Sequence, residues 1–306
     1  MVLPSFKFAR PAQRFQRWFA GTLALTLSLS SLPAFAADPF RPSNPHSIGN
    51  ASEAAFVEMF QEGDYVEARQ LINTALDSEP NEPMIQAMAA SMAYLDQNWN
   101  ELERRAKLTQ EKSQGLMASD PLRGNLYMAV GIFLEGAHVI QTEGLTRGTP
   151  TALRMLQQVF SHLGNAEKID RNDPELSLLK GFMELLLAVN LPFSNPDQAI
   201  ARLRNGSPVY LASRGIALGL RDLGRYDEAL KEVDIALSAA PDNPELIYLK
   251  GQITRLKGDN AGSLLYYNKA MQYADQMPRP VVRDMRFEQC LAEGVDGPTC
   301  AARAGG

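Results

Sequence analysis

The chain is poor in the residues from which most catalytic centres are built. Its 306 residues include three histidines, His46, His138 and His162, and two cysteines, Cys290 and Cys300. Neither His-x-x-x-His nor His-Glu-x-x-His occurs, which argues against the usual helix-borne zinc site. A Cys-x-x-Cys pair is also missing, and with it thioredoxin-type redox chemistry. The sequence holds no Gly-x-x-x-x-Gly-Lys-Ser/Thr to cradle phosphates, no Gly-x-Ser-x-Gly nucleophile turn and no calcium loop. These absences predict a chain that is not an enzyme and that carries no cofactor or metal. A formal charge of −5 argues against a nucleic-acid surface. The apolar run Trp18–Leu32 has 15 residues, short of the ~20 that a spanning helix needs.

That run has a different context. Lys7, Arg10, Arg14 and Arg17 precede it without an acidic residue, and Ala34-Phe35-Ala36 follows with small residues at the cleavage subsites. The pattern predicts a secretory signal peptide over 1–36, with Ala37 as the mature N-terminus. No Cys follows the small residues, which speaks against a lipid anchor. No Arg-Arg pair precedes the run, which points to export of the unfolded chain. Cleavage would remove four positive charges and no negative ones, taking the formal charge from −5 to −9. The mature chain is therefore expected to be exported and soluble, with no stable membrane anchor. Export also permits a Cys290–Cys300 disulfide, which would close a short loop and tie the tail to the last helix. Two free thiols in a frayed tail are the alternative.

What the sequence does have is repetition. Residues 63–83 (GDYVEARQLINTALDSEPNEP) and 224–244 (GRYDEALKEVDIALSAAPDNP) match at eight of 21 positions without a gap. Gly224 to Gly258, Val233 to Tyr267 and Ala236 to Ala270 are each 34 residues apart. Proline opens segment after segment, at Pro83, Pro121, Pro174, Pro208 and Pro244. The residues before them are Glu82, Asp120, Asp173, Ser207 and Asn243. A capping side chain followed by proline is a helix start.

The pattern resembles the tetratricopeptide (TPR) repeat, a helix–turn–helix unit of about 34 residues. Unit one supplies Gly63, Tyr65, Ala68, Ile72, Ala75 and Pro80. Unit five supplies Ala217, Gly224, Tyr226, Ala229, Val233, Ala236 and Pro241. Unit six supplies Gly251, Gly258, Tyr267 and Ala270, with Ser263 in place of the first Ala. Unit two keeps Ala90 and Trp99 but has Leu102 in place of Ala. Small residues let the helices of a hairpin approach, the large apolar residue fills the gap between units, and Gly permits the sharp turn. The resemblance implies an all-α, right-handed α-solenoid of about six TPR-like hairpins plus a C-terminal capping helix. The expected division is a signal peptide over 1–36, an extended linker over 37–50, the solenoid over 51–277, and a capping helix and tail over 278–306.

Units three and four depart from the period, because Pro121 and Pro174 are 53 residues apart. The sequence predicts a first helix from Pro121 to about Thr142, a loop GLTRGT, and a second helix from Pro150 to about Lys168. Asn195-Pro196 should start a short helix. Phe182–Val189 is apolar on nearly every side, which predicts burial at the centre of the array. The enlarged region spans 121–205. A last helix is expected over 280–293, stopped by Gly294.

The start DPFRPSNPHSIGN, followed by ASEAAFVEMFQEGDYVEA, resembles a family of exported TPR-repeat proteins of cyanobacteria. That resemblance implies the periplasm or thylakoid lumen and transfers no catalytic residues. TPR first helices line a concave groove that binds protein or peptide. Here they would present Met84, Tyr94, Met128, Ile132, Phe182 and Leu185, then Arg214, Arg221 and Arg255. That order suits an apolar segment with an acidic end. Leu218 stands where a chaperone-binding TPR carries Asn, which argues against chaperone-tail recognition. The leading expectation is a non-catalytic scaffold for another protein, in assembly or maintenance of an envelope or photosynthetic membrane complex. A self-assembling structural component is one alternative. Another is a ligand carrier or enzyme with a pocket around His138 and His162, where Glu135 or Glu143 could join them.

Overall fold

The computed structural model describes residues 38–190 and 195–305. The signal peptide expected over 1–36 lies outside these residues. The described chain is helical throughout its regular structure. No helix in it is long and apolar enough to cross a membrane.

The described helices pair into six antiparallel hairpins. The first joins α1 (Asn50–Phe56), which runs on as a π-turn (Val57–Glu62), to α2 (Tyr65–Ser78). The second joins α3 (Pro83–Leu95) to α4 (Trp99–Leu116). The third is α5 (Pro121–Ile169) folded on itself at Gly144. The fourth joins α6 (Pro174–Asn190) to α7 (Pro196–Leu203). The fifth and sixth are α8 (Val209–Asp222) with α9 (Tyr226–Ala239), and α10 (Pro244–Leu256) with α11 (Asn260–Met271). α12 (Arg279–Ala292) and α13 (Gly297–Ala304) close the array. This is the all-α TPR-type solenoid that the repeats predict.

Local chemistry sets the helix starts. Glu82, Asp120, Asp173 and Asn243 each accept a backbone amide of the helix that follows, as does Asn195 at α7. The exception is α8, whose N-cap is Pro208 with no capping side chain, one residue later than the Ser207-Pro208 reading. Ala68, Ile72 and Ala75 of α2, and Ala229, Val233 and Ala236 of α9, are buried against their partner helices. Burying a side chain such as Ile72 contributes roughly 1.5–3 kcal/mol.

The third hairpin differs from expectation. No six-residue loop separates its arms, because the break is confined to Gly144 at φ 76°, ψ 168°. That backbone conformation is essentially reserved for glycine. Residues 145–149 are already helical, and Pro150 lies inside the second arm.

The ends also differ. Residues 38–49 lack regular structure, as a linker would, yet they are packed. Phe40 and Ile48 enter the core, and Phe40 meets Phe56 edge-on at 5.0 Å. The buried Arg41 guanidinium reaches Asp38 at 2.8 Å, Asp173 at 2.6 Å and Glu175 at 2.9 Å. Beside it, buried Arg123 pairs with Glu82 at 2.7 Å. The N-terminal segment is thus pinned to the start of α6, while Arg123 ties the starts of α3 and α5 together beside it. At the other end, α13 was not legible as a helix, although Asp296 caps it through the Thr299 amide. A Cys290–Cys300 disulfide holds α13 to α12.

The first hairpin folds back on the sixth. Asn243 donates to the carbonyls of Phe60 and Gln61, and the Tyr65 hydroxyl donates to Glu245 at 2.9 Å. One continuous apolar core therefore runs from Phe40 to Met285.

Candidate functional site

This closure changes what the first helices present. Met84, Ile132 and Leu185, expected on an open groove, are buried. Met128 and Phe182 are partly buried and pack against the same core. The face that is a groove in an open array is here turned inward and filled.

Arg214 and Arg221 line a groove of about 370 Å3 between α8, α10 and α12, and Arg255 approaches it through Glu288 of the same lining. They are not free to receive an acidic ligand. Arg214 pairs with Glu245 at 2.7 Å. Arg221 pairs with Asp222 at 2.8 Å and donates to Gln252 at 2.7 Å. Arg255 lies 3.8 Å from Glu288, which also accepts from the Tyr267 hydroxyl and the Gln252 amide. Asp284 adds a further carboxylate to the lining. The capping helix α12 supplies both Asp284 and Glu288, so the positive charge is cancelled from within. The expected order of apolar stretch and then free arginines is therefore corrected at both ends.

Tyr94 sits elsewhere. Its ring stacks edge-on to Trp99 at 5.7 Å, and its hydroxyl accepts from Gln141 at 3.1 Å. It stands at the mouth of an apolar groove of about 330 Å3 between the two arms of α5 and the end of α6. Ile132, Phe133 and Ile140 line one wall, Leu153, Met155 and Leu156 the other, and Leu186 and Leu187 the end. Gly136, Ala137 and Ala152 keep the floor open. Apolar atoms dominate the lining, with Gln141 and Thr149 among the few polar side chains. Leu153 is 56% exposed, Tyr94 39% and Phe133 36%.

The helix expected to be buried on all sides thus has two faces. Met183, Leu185 and Ala188 enter the core, while Leu186 is 50% exposed at the groove. Continuous apolarity in this helix serves packing on one side and the groove on the other. The sequence carried the signal, an all-round apolar helix beside an enlarged hairpin, but not the direction of its exposed side.

The histidines do not form a site. His138 lies 4.0 Å from Glu103, whereas His162 shares a 3.0 Å hydrogen bond with Asn125. Burial pushes the His162 imidazole below its ordinary pKa. Its Nδ1 therefore donates to the Asn125 carbonyl, since the Asn125 amide is committed to the Pro121 carbonyl at 2.8 Å. Neither histidine lines the apolar groove. Among the described residues, no group of three His, Cys, Asp or Glu side chains is placed to hold a metal.

Residues 214–278, from within α8 to the turn after α11, match the tetratricopeptide repeat family. That stretch carries TPR repeats. The chain is also similar to an uncharacterized protein of Treponema pallidum (strain Nichols), at 35% identity over 117 residues. That match covers 38% of this chain and spans about a tenth of the relative, 10% of its length. Among solved structures, it resembles a thermophilic TPR protein of Thermus thermophilus, with a TM-score of 0.44 and 24% identity over 71% of this chain and 98% of that one. It resembles PilW, a widely conserved type IV pilus biogenesis factor, with a TM-score of 0.41 and 14% identity over 83% and 89% of the two chains. The yeast Sti1 TPR2AB domain complexed with pHSP90 aligns with a TM-score of 0.30 and 15% identity, over 85% of this chain and 100% of that one.

Proposed function

We propose that this TPR-repeat chain is an exported, non-catalytic scaffold that holds a protein partner in the periplasm or thylakoid lumen. It would serve in assembly or maintenance of an envelope or photosynthetic membrane complex. The observation that carries the reading is the apolar groove of the third hairpin. Tyr94 of α3 and Phe133 and Leu153 of α5 expose apolar surface around it, beside the enlarged third hairpin where the repeat period breaks. An apolar side chain buried there by a partner gains roughly 1.5–3 kcal/mol when its exposure is complete beforehand, and about half that from the exposures seen here. The occupant is an apolar segment of another protein, since the groove offers shape and apolar contact rather than convergent polar groups. Export rests on the basic, apolar and small-residue order of residues 1–36.

A photocrosslinking residue at position 153 tests the groove in living cells. Leu265, 70% exposed on α11, is the control position. A discrete protein adduct is expected from position 153 and not from 265. The same adducts from both positions, or none from 153, would overturn the assignment. Fusing residues 1–36 to a reporter tests export separately.

A further inference from the structure

The arginines singled out by the sequence are neutralised within the fold, but three others are not. Arg279, Arg283 and Arg286 are exposed on α12 at relative positions i, i+4 and i+7, one face of a helix. All three line a groove of about 720 Å3 bounded by the turn before α12, by Val66 of α2, and by Ala304 and Gly305 of the disulfide-held tail. Among the described residues, Arg279 and Arg286 have no carboxylate within ion-pair distance. Arg283 reaches its sequence neighbour Asp284 at 3.4 Å, an exposed contact of little strength. Asp284 belongs to the lining of the neighbouring α8–α10–α12 groove. Among the described residues, Asp275 is the carboxylate that lines this one, against three guanidiniums. α12 also begins here, with Pro278 as an N-cap that offers no side-chain acceptor. The partial positive charge of the helix end adds to the same field.

We propose that this groove binds an acidic, extended segment of a protein partner. Three positions separated by seven helical steps cover roughly 10 Å, at about 1.5 Å per residue. Alternate side chains of an extended chain are roughly 6.6 Å apart and face one side, so Glu-x-Glu matches two successive arginines. Guanidiniums favour carboxylates through paired, charge-assisted hydrogen bonds. The exposed Val66 and the buried Met277 and Val282 at the base give an intervening apolar side chain somewhere to rest. The chain as a whole is acidic, with a formal charge of −5, so the attraction for an acidic ligand is local to this arginine groove. The inference rests on the scaffold reading, but uses a different surface from the apolar groove.

The test is fluorescence anisotropy of a labelled peptide of alternating Glu and Val with the chain expressed whole and purified. The Gln–Val peptide is its control. The Glu peptide should bind and the Gln peptide should not, and added salt should weaken binding. R279Q/R283Q/R286Q should weaken it roughly tenfold, from three exposed ion pairs. R147Q/R154Q on α5 should leave it unchanged. R286Q alone is measured should the triple variant unfold. Equal weakening by R147Q/R154Q, or no binding of the Glu peptide, overturns the proposal. So does arginine-dependent binding to phosphatidylglycerol vesicles that the peptide does not displace. The position-153 crosslink does not depend on these arginines, so the scaffold reading and this inference fail separately.

Discussion

The side-chain amide of Asn243 donates to the carbonyl oxygen of Phe60 at 3.1 Å, across 183 residues of sequence. The same nitrogen reaches the Gln61 carbonyl at 3.0 Å, while the side-chain oxygen accepts the Glu245 and Leu246 amides. One residue therefore starts α10 and satisfies the end of the π-turn, where backbone acceptors lack helical partners. Gly63, at φ 72°, lets the two hairpins approach, for a Cβ there would lie 2.8 Å from the Pro244 ring.

Asn243→Ala removes a cap, at about 1 kcal/mol, and strands two partly buried acceptors, at roughly 1–3 kcal/mol. A loss of about 2–4 kcal/mol in urea unfolding is expected from those two terms together. Asn243→Asp is the sharper variant. It keeps the cap but replaces the donor with a carboxylate facing two carbonyls, so it too should destabilise. A fully stable Asn243→Asp would show that the closing contact contributes nothing.

The N-terminal segment makes a prediction in pH. Arg41 answers three buried carboxylates, those of Asp38, Asp173 and Glu175. Burial pushes the Glu175 carboxyl above its ordinary range, against the pull of Arg123, Arg41 and the Tyr127 hydroxyl. Arg41→Ala should cost about 3–5 kcal/mol near neutral pH, since it leaves buried charge without its partner. Without Arg41 the folded-state pKa of Glu175 rises further. The folded variant then binds more protons than the folded parent across the carboxylate range, so its stability falls more steeply as pH rises. The deficit should be largest near neutrality and shrink as pH falls toward about 4. Unfolding free energies measured across that interval check the sign, and a deficit that grows on acidification would contradict it.

These two contacts mark where the sequence stopped being legible. Repeat positions such as Ala68, Ala75, Ala229 and Ala236 announce their burial, because stacking is local and recurs at a fixed period. Asn243 and Arg41 also stood in view, one as a helix cap and the other in a turn-rich stretch. Their partners lie far away in sequence, and only the curvature of the array decides them. The same curvature buried Met84, Ile132 and Leu185, and it brought α12 against Arg221 and Arg255. Tyr94 and Ile132, drawn from the expected groove, do line the apolar site, but in company with Phe133 and Leu153, which no repeat position marks.

Gln97 occupies the turn of the second hairpin at φ 56°, where the first, fifth and sixth hairpins place Gly63, Gly224 and Gly258. A left-handed conformation costs a non-glycine residue roughly 1–2 kcal/mol, while glycine loses about 0.5–1 kcal/mol more in unfolded-state entropy. The side chain is exposed, so nothing else is lost with it. Gln97→Gly should stabilise the chain by a net ~0.5–1 kcal/mol, the difference of those two effects. Thermal and urea unfolding would both register that gain, and a destabilised variant would mean that the turn is not strained.

The Cys290–Cys300 disulfide should act locally. α13 has eight residues, too few for a helix to persist alone in water. Its buried side chains are Cys300 and Ala304, which leaves little apolar surface to hold it on α12 once the covalent link is gone. Reduction, or Cys290→Ala with Cys300→Ala, should therefore free residues 297–304 while the hairpins stay folded. Hydrogen exchange is the measurement. Amides of α13 should approach unprotected rates, and those of α10 and α11 should keep their protection. Because Ala304 and Gly305 wall the arginine groove, the same reduction should weaken the acidic peptide without touching Arg279, Arg283 or Arg286. Protection that spread its loss into α10 would instead make the disulfide a support for the whole C-terminal end of the array.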